Sequence, residues 1–222
     1  MLENLPTSTV FTLADAVSCR KFQVCSRSLC STPGADITLL AFDAGEGVSA
    51  EQYSGDTLYT VLTGNCTITA GDPIALSAGE STVIPEGMLH SLESAGQFRI
   101  MQTTIHKGEN NMDKLINHIP HKEAISLKDQ IDYEPGQVAS MTLTNQPQVG
   151  MTLFAFDQGT KIGTHAAPGD AMPTILEGEA EITISGTTYT VRAGESIVMP
   201  AGEPHSLRAV TRFKMLLVLV KN

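Results

Sequence analysis

The sequence predicts an all-β protein made of two tandem copies of one domain. Three observations carry this. A long internal repeat runs through the 222 residues, short apolar stretches alternate with period two between turn residues, and each copy closes on the same bend followed by a histidine. The closing phrase is Gly194-Glu-Ser-Ile-Val-Met-Pro200-Ala-Gly202-Glu-Pro-His205 in the second copy and Gly79-Glu-Ser-Thr-Val-Ile-Pro85-Glu-Gly87-Met-Leu-His90 in the first. Proline fixes φ and glycine permits φ > 0, so each bend is sharply specified and presents its imidazole at a repeatable depth.

The repeat can be followed in order. Leu5-Pro6 with Leu13 and Asp15 matches Ile119-Pro120 with Leu127 and Asp129, and Leu13 to Val17 and Leu127 to Ile131 are expected to be brief helical or irregular lead-ins. Gln23-Val24, Ser26 and Leu29 match Gln137-Val138, Ser140 and Leu143, and Ile37 to Gly45 matches Met151 to Gly159. Gly45 and Gly159 lie 114 residues apart, whereas Gly79 and Gly194 lie 115 apart. The extra residue falls between Gly71-Asp72-Pro73 and Ser185-Gly186, at a hairpin tip, where a length change breaks no ladder bonds. Before that tip Ala180, Ile182 and Ile184 alternate with Glu181 and Thr183, and after it come Tyr189 and Val191. The first copy repeats the pattern with Cys66, Ile68 and Ala70, which makes Cys66 a small core residue in the place of Ala180. Many short strands with regular turns indicate a sandwich or barrel. The expected domains are 1–107 and 114–222, joined by a polar linker at 108–113. His118 and His121 follow the linker and are read as surface residues of a lead-in segment.

A net charge of −10 argues against nucleic acid or an anionic membrane surface as partner, because both select a basic footprint. No stretch is long and apolar enough to span a bilayer, and the first residues lack the basic and apolar regions of a signal peptide, so a cytoplasmic location is expected. The four cysteines, Cys19, Cys25, Cys30 and Cys66, form no CxxC pair and are expected to be free thiols. Motifs for a G-x-S-x-G elbow, a phosphate-cradling loop or HExxH are absent from the sequence.

Both copies resemble the cupin superfamily, specifically the conserved-barrel (cupin type 2) domains, and the whole chain resembles a two-domain bicupin. The late motif of that superfamily, G-x5-P-x-G-x2-H-x3-N, is met by Gly194, Pro200, Gly202 and His205 and by Gly79, Pro85, Gly87 and His90, with Ala209 and Ser94 in place of the closing Asn. Of the early motif, G-x5-H-x-H-x3,4-E-x6-G, the second copy keeps Gly159, His165 and Gly178. The resemblance implies two tandem cupin barrels (double-stranded β-helix, or jelly roll), each with a pocket into which the motif residues point, packed as an intramolecular pseudo-dimer with a further homodimer left open.

The family's metal set is three His and one Glu. Its positions are held here by His165, Ala167, Ala171 and His205 in the second copy and by Glu51, Tyr53, Thr57 and His90 in the first. The resemblance therefore implies a divalent transition metal (Fe, Mn, Ni, Cu or Zn) on His165 and His205, with an incomplete ligand set, since catalytic zinc keeps three protein ligands and non-heme iron uses two His and a carboxylate. Asp170 could supply a third ligand, but Asp56 occupies the same place without the same His partner, which favours a turn role for both. Tyr53 in a metal position suggests a pocket lined for an organic ligand or simply filled. Glu51, Tyr53, His90, Ala167 and Met172 are the expected pocket residues. Three functions stay open: a small-molecule-binding bicupin with a metal in its second barrel, a metal-dependent dioxygenase or isomerase acting on a small organic substrate, and a metal-free sensor or structural protein. No catalytic residue is assigned.

Overall fold

A computed structural model of the chain describes residues 1–107 and 115–221. The expected linker at 108–113 lies outside the described residues. The strands, in chain order, are β1 (Val10–Thr12), β2 (Val24–Thr32), β3 (Ala35–Phe42), β4 (Gly47–Glu51), β5 (Gly55–Thr63), β6 (Asn65–Ala70), β7 (Asp72–Ser77), β8 (Glu80–Ile84), β9 (His90–Glu93), β10 (Phe98–His106) and β11 (Ile125–Ser126). The second copy continues with β12 (Val138–Asn145), β13 (Val149–Phe156), β14 (Lys161–His165), β15 (Gly169–Ile184), β16 (Thr187–Arg192), β17 (Glu195–Ile197), β18 (His205–Arg208) and β19 (Phe213–Lys221). Single 3-10 turns at Leu13–Ala16 and Leu127–Gln130 are the expected lead-ins.

The chain divides into two compact units, Leu13–Ser126 and Met1–Thr12 with Leu127–Asn222. In the first, a six-stranded sheet (β11-β8-β5-β10-β3-β2) and a four-stranded sheet (β4-β9-β6-β7) enclose Tyr59, Ile68, Leu76 and Leu92, with Phe42 and Phe98 stacked at 4.1 Å. In the second, one sheet follows the order β1-β17-β15-β19-β13-β12, and β14, β18 and β16 join through the far half of β15. Its core holds Ile175, Ile182, Met199 and Leu207 around Phe156 and Phe213, stacked at 4.3 Å. Each unit is a jelly roll rather than a closed hydrogen-bonded barrel.

The alternation read from the sequence shapes the strands directly. β3 and β13 have the same pattern, every second residue fully buried and both closing residues buried. The hairpin between β15 and β16 turns on Ser185 (φ 48°) and Gly186 (φ 85°), both left-handed, as a two-residue type I′ turn demands. Gly178 (φ 76°) marks the point where β15 leaves one layer for the other. A Cβ there would lie 2.1 Å from the Arg212 carbonyl oxygen, so only glycine allows that approach. Cys66 and Ala180 both sit in the cores, and burial pushes the Cys66 thiol up to about 12.

The repeat and the compact units are cut at different places. The leading strand β1 pairs with β17 (Phe11 opposite Ser196), and its counterpart β11 pairs with β8 (Ile125 opposite Ser81). Each copy thus gives its leading strand to the unit that the other copy builds. Two carboxylates fasten these segments. Asp170 accepts the Leu2 N–H at 2.8 Å, and Asp56 accepts the Leu115 and Ile116 N–H groups at 2.8 and 3.0 Å.

Candidate functional site

In both units the bend is tied to the segment just after β14 or β4, at an early-motif position. The Gly202 N–H donates to the Ala167 carbonyl at 3.0 Å, and the Gly87 N–H to the Tyr53 carbonyl at 2.9 Å; both glycines have positive φ. Strand pairing then sets His205 opposite His165 and His90 opposite Glu51. The sequence-predicted partners are brought together in each unit, but the chemistry differs between the two.

In the second unit the two imidazole centroids lie 4.4 Å apart at an interplanar angle of 65°. His205 is buried and His165 exposed. Each ring is anchored by its Nδ1: His205 donates to the Glu203 carbonyl at 2.9 Å and His165 to the Gly163 carbonyl at 3.0 Å. That hydrogen bond places the proton on Nδ1 and leaves the Nε2 lone pair available, the arrangement by which a protein holds an imidazole as acceptor or ligand. Burial, and next the neighbouring His165, hold the His205 pKa below the ordinary imidazole value, against the Glu203 carbonyl, which raises it. Both rings line a cavity of about 270 Å³ whose remaining wall is apolar, including Phe154, Ile162, Ala167, Ala171, Met199 and Leu217.

Asp170 does not complete a metal set. Its Oδ1 accepts the Ala201 N–H at 2.9 Å and its Oδ2 the Leu2 N–H, so both carboxylate oxygens hold backbone, in the turn role that the parallel with Asp56 favoured. Ala167 lines the cavity, as expected. Met172 is fully buried yet is not among the lining residues; its neighbour Ala171 is, because adjacent strand residues face opposite sides. Met199 and Met215 border the cavity as well.

In the first unit the corresponding groups satisfy one another. The Tyr59 hydroxyl donates to His90 Nε2 at 2.7 Å, and His90 Nδ1 donates to the Met88 carbonyl at 2.8 Å. Both ring nitrogens of His90 are therefore occupied. The Tyr53 hydroxyl donates to Glu51 Oε1 at 2.5 Å, and the Tyr53 ring sits 5.8 Å from that of His90. Burial, then the Glu51 carboxylate, push the Tyr53 phenol up to about 12, and burial raises the fully buried Tyr59 further, so both remain hydrogen-bond donors. Tyr59 was missed by sequence reasoning. The available signal was its spacing, two residues beyond Thr57 on the same face of β5.

Among the described residues no three His, Cys, Asp or Glu side chains are grouped to hold a metal ion. The second unit offers two imidazole nitrogens and no carboxylate, short of the three protein ligands of a catalytic zinc site or the two His and one carboxylate of a non-heme iron site. In the first, both nitrogens of His90 are occupied, and the Glu51 carboxylate opposite it accepts from Tyr53. No helix among the described residues is long and apolar enough to cross a membrane.

The jelly-roll units and the paired bends define a class, and comparison with known proteins agrees with it. Residues 152–220 match the Cupin domain family. A cupin 2 conserved barrel domain protein from Leptotrichia buccalis is 26% identical, each chain covering 100% of the other, with a TM-score of 0.85. A conserved protein of unknown function from Streptococcus pyogenes is 50% identical over 51% of this chain and 98% of its own, with a TM-score of 0.49. A salicylate 1,2-dioxygenase from Pseudaminobacter salicylatoxidans shares the fold at 15% identity, over 88% of this chain and 76% of its own, with a TM-score of 0.62. None of the curated proteins matches the chain. Residues 152–220 thus form a cupin domain, and over its whole length the chain, with its two jelly-roll units in tandem, is similar to a cupin 2 conserved barrel domain protein.

Proposed function

We propose that this cupin binds a small organic molecule in the cavity of its second unit, with His165 and His205 as the polar anchors. One observation carries the reading: both imidazoles are tethered through Nδ1, which leaves two Nε2 acceptors at an apolar cavity of about 270 Å³. A cavity of about 150 Å³ holds benzene, so this one has room for a substituted ring. The walls favour an apolar body, and the two Nε2 acceptors favour an O–H or N–H donor on it. The filled hydrogen-bond set around His90 and Tyr59 supports a structural role for the corresponding place in the first unit.

A second reading has one observation in its favour. Backbone carbonyls on Nδ1 orient metal-bound imidazoles in the same way, so a divalent transition metal could occupy the two Nε2 positions if the ligand or water completed its shell. The protein donors alone do not, and no metal-dependent reaction is assigned. Native mass spectrometry and elemental analysis of tag-free protein, beside a His165→Ala/His205→Ala double variant, test both readings. An organic adduct lost in the variant supports the first. Near-stoichiometric metal lost in the variant overturns it in favour of the second.

A further inference from the structure

The first unit contains a hydrogen-bonded Ser–His–Asp array away from either motif histidine. Asp36, near the start of β3, approaches His106 at the end of β10, with Oδ2 2.7 Å from Nε2; Ser54, in the residue before β5, places Oγ 3.2 Å from His106 Nδ1. An ionised carboxylate can only accept, so Nε2 carries the proton. In the neutral ring Nδ1 is then the acceptor, and the Ser54 hydroxyl donates to it. This is the relation a serine nucleophile needs: a base on its oxygen, and a carboxylate that fixes the tautomer of the base and stabilises the imidazolium.

The frame is rigid. β10 lies between β3 and β5 in the sheet, with Ile105 opposite both Ala35 and Asp56 and His106 opposite Gly55. The His106 N–H donates to the Gly34 carbonyl at 3.0 Å, and Gly55 packs where a Cβ would lie 1.9 Å from the Ile105 carbonyl oxygen. Ser54 is exposed, and the side chains of His106 and Asp36 retain 20% and 44% of their accessibility, so a solute can reach the hydroxyl. The duplicated half provides an internal control. By the matching pairs of Gly55 with His106 and Gly169 with Lys221, the same three places hold Gly150, Pro168 and Lys221 there. The array is thus no requirement of the fold.

We propose that Ser54, His106 and Asp36 form an acyl-transfer site for small activated esters. In the first step Ser54 Oγ attacks the ester carbonyl carbon while its proton moves to His106 Nδ1. The carbon–oxygen bond to the leaving group breaks, and that alcohol or phenol departs with the proton from Nδ1, leaving an ester on Ser54. Water then attacks this ester, gives its proton to Nδ1, and releases the carboxylic acid as Ser54 regains its hydrogen. A positioned base contributes a factor of about 10²–10⁴, which suits aryl esters with good leaving groups better than amides. Asp36 acts through His106 as a positioning residue.

The test is to treat the full-length protein with 4-nitrophenyl acetate and with a fluorophosphonate, and to map the adducts by peptide mass spectrometry in wild type, Ser54→Ala, His106→Gln and Asp36→Asn. The expected result is an adduct on Ser54 that Ser54→Ala abolishes. His106→Gln should slow its formation at least about a hundredfold. Asp36→Asn should lower the maximal acylation rate without altering the ester concentration for half-maximal rate. Adducts confined to other residues, no adduct at all, or Ser54 labelling that survives His106→Gln in folded protein would each overturn the proposal. None of these residues lines the second-unit cavity, so the outcome is independent of the proposed ligand binding.

Discussion

Replacing Tyr59 by Phe tests whether the first unit has exchanged a binding pocket for a closed hydrogen-bond set. The substitution removes one oxygen from a fully buried side chain and leaves His90 Nε2, 2.7 Å away in the wild type, without its donor. His90 cannot compensate by turning, because its Nδ1 proton is committed to the Met88 carbonyl. An acceptor stranded in this way costs about 1–3 kcal/mol. At about 4 °C per kcal/mol for a unit of this size, the melting transition should fall by roughly 4–12 °C. All four cysteines belong to this unit and Cys30 and Cys66 are buried, so the rate of thiol labelling in urea follows its unfolding separately from that of the other unit. The decisive quantity is the coupling in a cycle with His90→Ala, expected at about 1 kcal/mol. Additivity within about 0.3 kcal/mol would show that the two side chains do not act together, and the reasoning about this pocket would fail.

Three other outcomes are expected. The folded-state pKa of His205 is lowered by burial, so the unfolded chain binds its proton first. Stability conferred by the neutral ring is complete above the ordinary value of about 6.5 and declines as the pH falls from there towards the lowered value; His205→Gln should flatten that limb of a urea-midpoint profile. Gly202→Ala and Gly178→Ala both force φ near 77° on a side chain, but the new methyl meets nothing within 4 Å at Gly202 and a carbonyl oxygen at 2.1 Å at Gly178. The first should cost about 1–2 kcal/mol and the second about 1–3 kcal/mol more, and equal denaturation midpoints would refute the assigned backbone approach. Asp170→Ala should release the Leu2 and Ala201 N–H groups, seen as faster amide exchange at both, while leaving any ligand held by His165 and His205 bound; loss of that ligand would return Asp170 to the site.

Much of the architecture was legible because it is local. Period-two alternation assigns the buried face of β3 and β13, the Ser185-Gly186 turn sets its hairpin, and the Pro-x-Gly bends deliver His90 and His205. Cys66 was recognisable as core from its place in the repeat. Met172 shows the limit of the same rule: alternation places residues on opposite faces but does not say which face borders the cavity, and here it is that of Ala171.

By itself the sequence determined the duplication, the all-β class and the pairing of a bend with an imidazole in each copy, since these depend on φ preferences and periodicity within a few residues. Tertiary structure alone decided what each imidazole does. His90 is saturated because Tyr59 comes from another strand, whereas Pro173 stands at the repeat-equivalent place in β15, where no side chain can donate. Asp170 is turned away from the histidines because a segment 168 residues earlier supplies the N–H it accepts. Ser54 and Asp36 meet His106 across separations of 52 and 70 residues. Such contacts form only when distant strands are brought side by side, and no local preference of the chain encodes them.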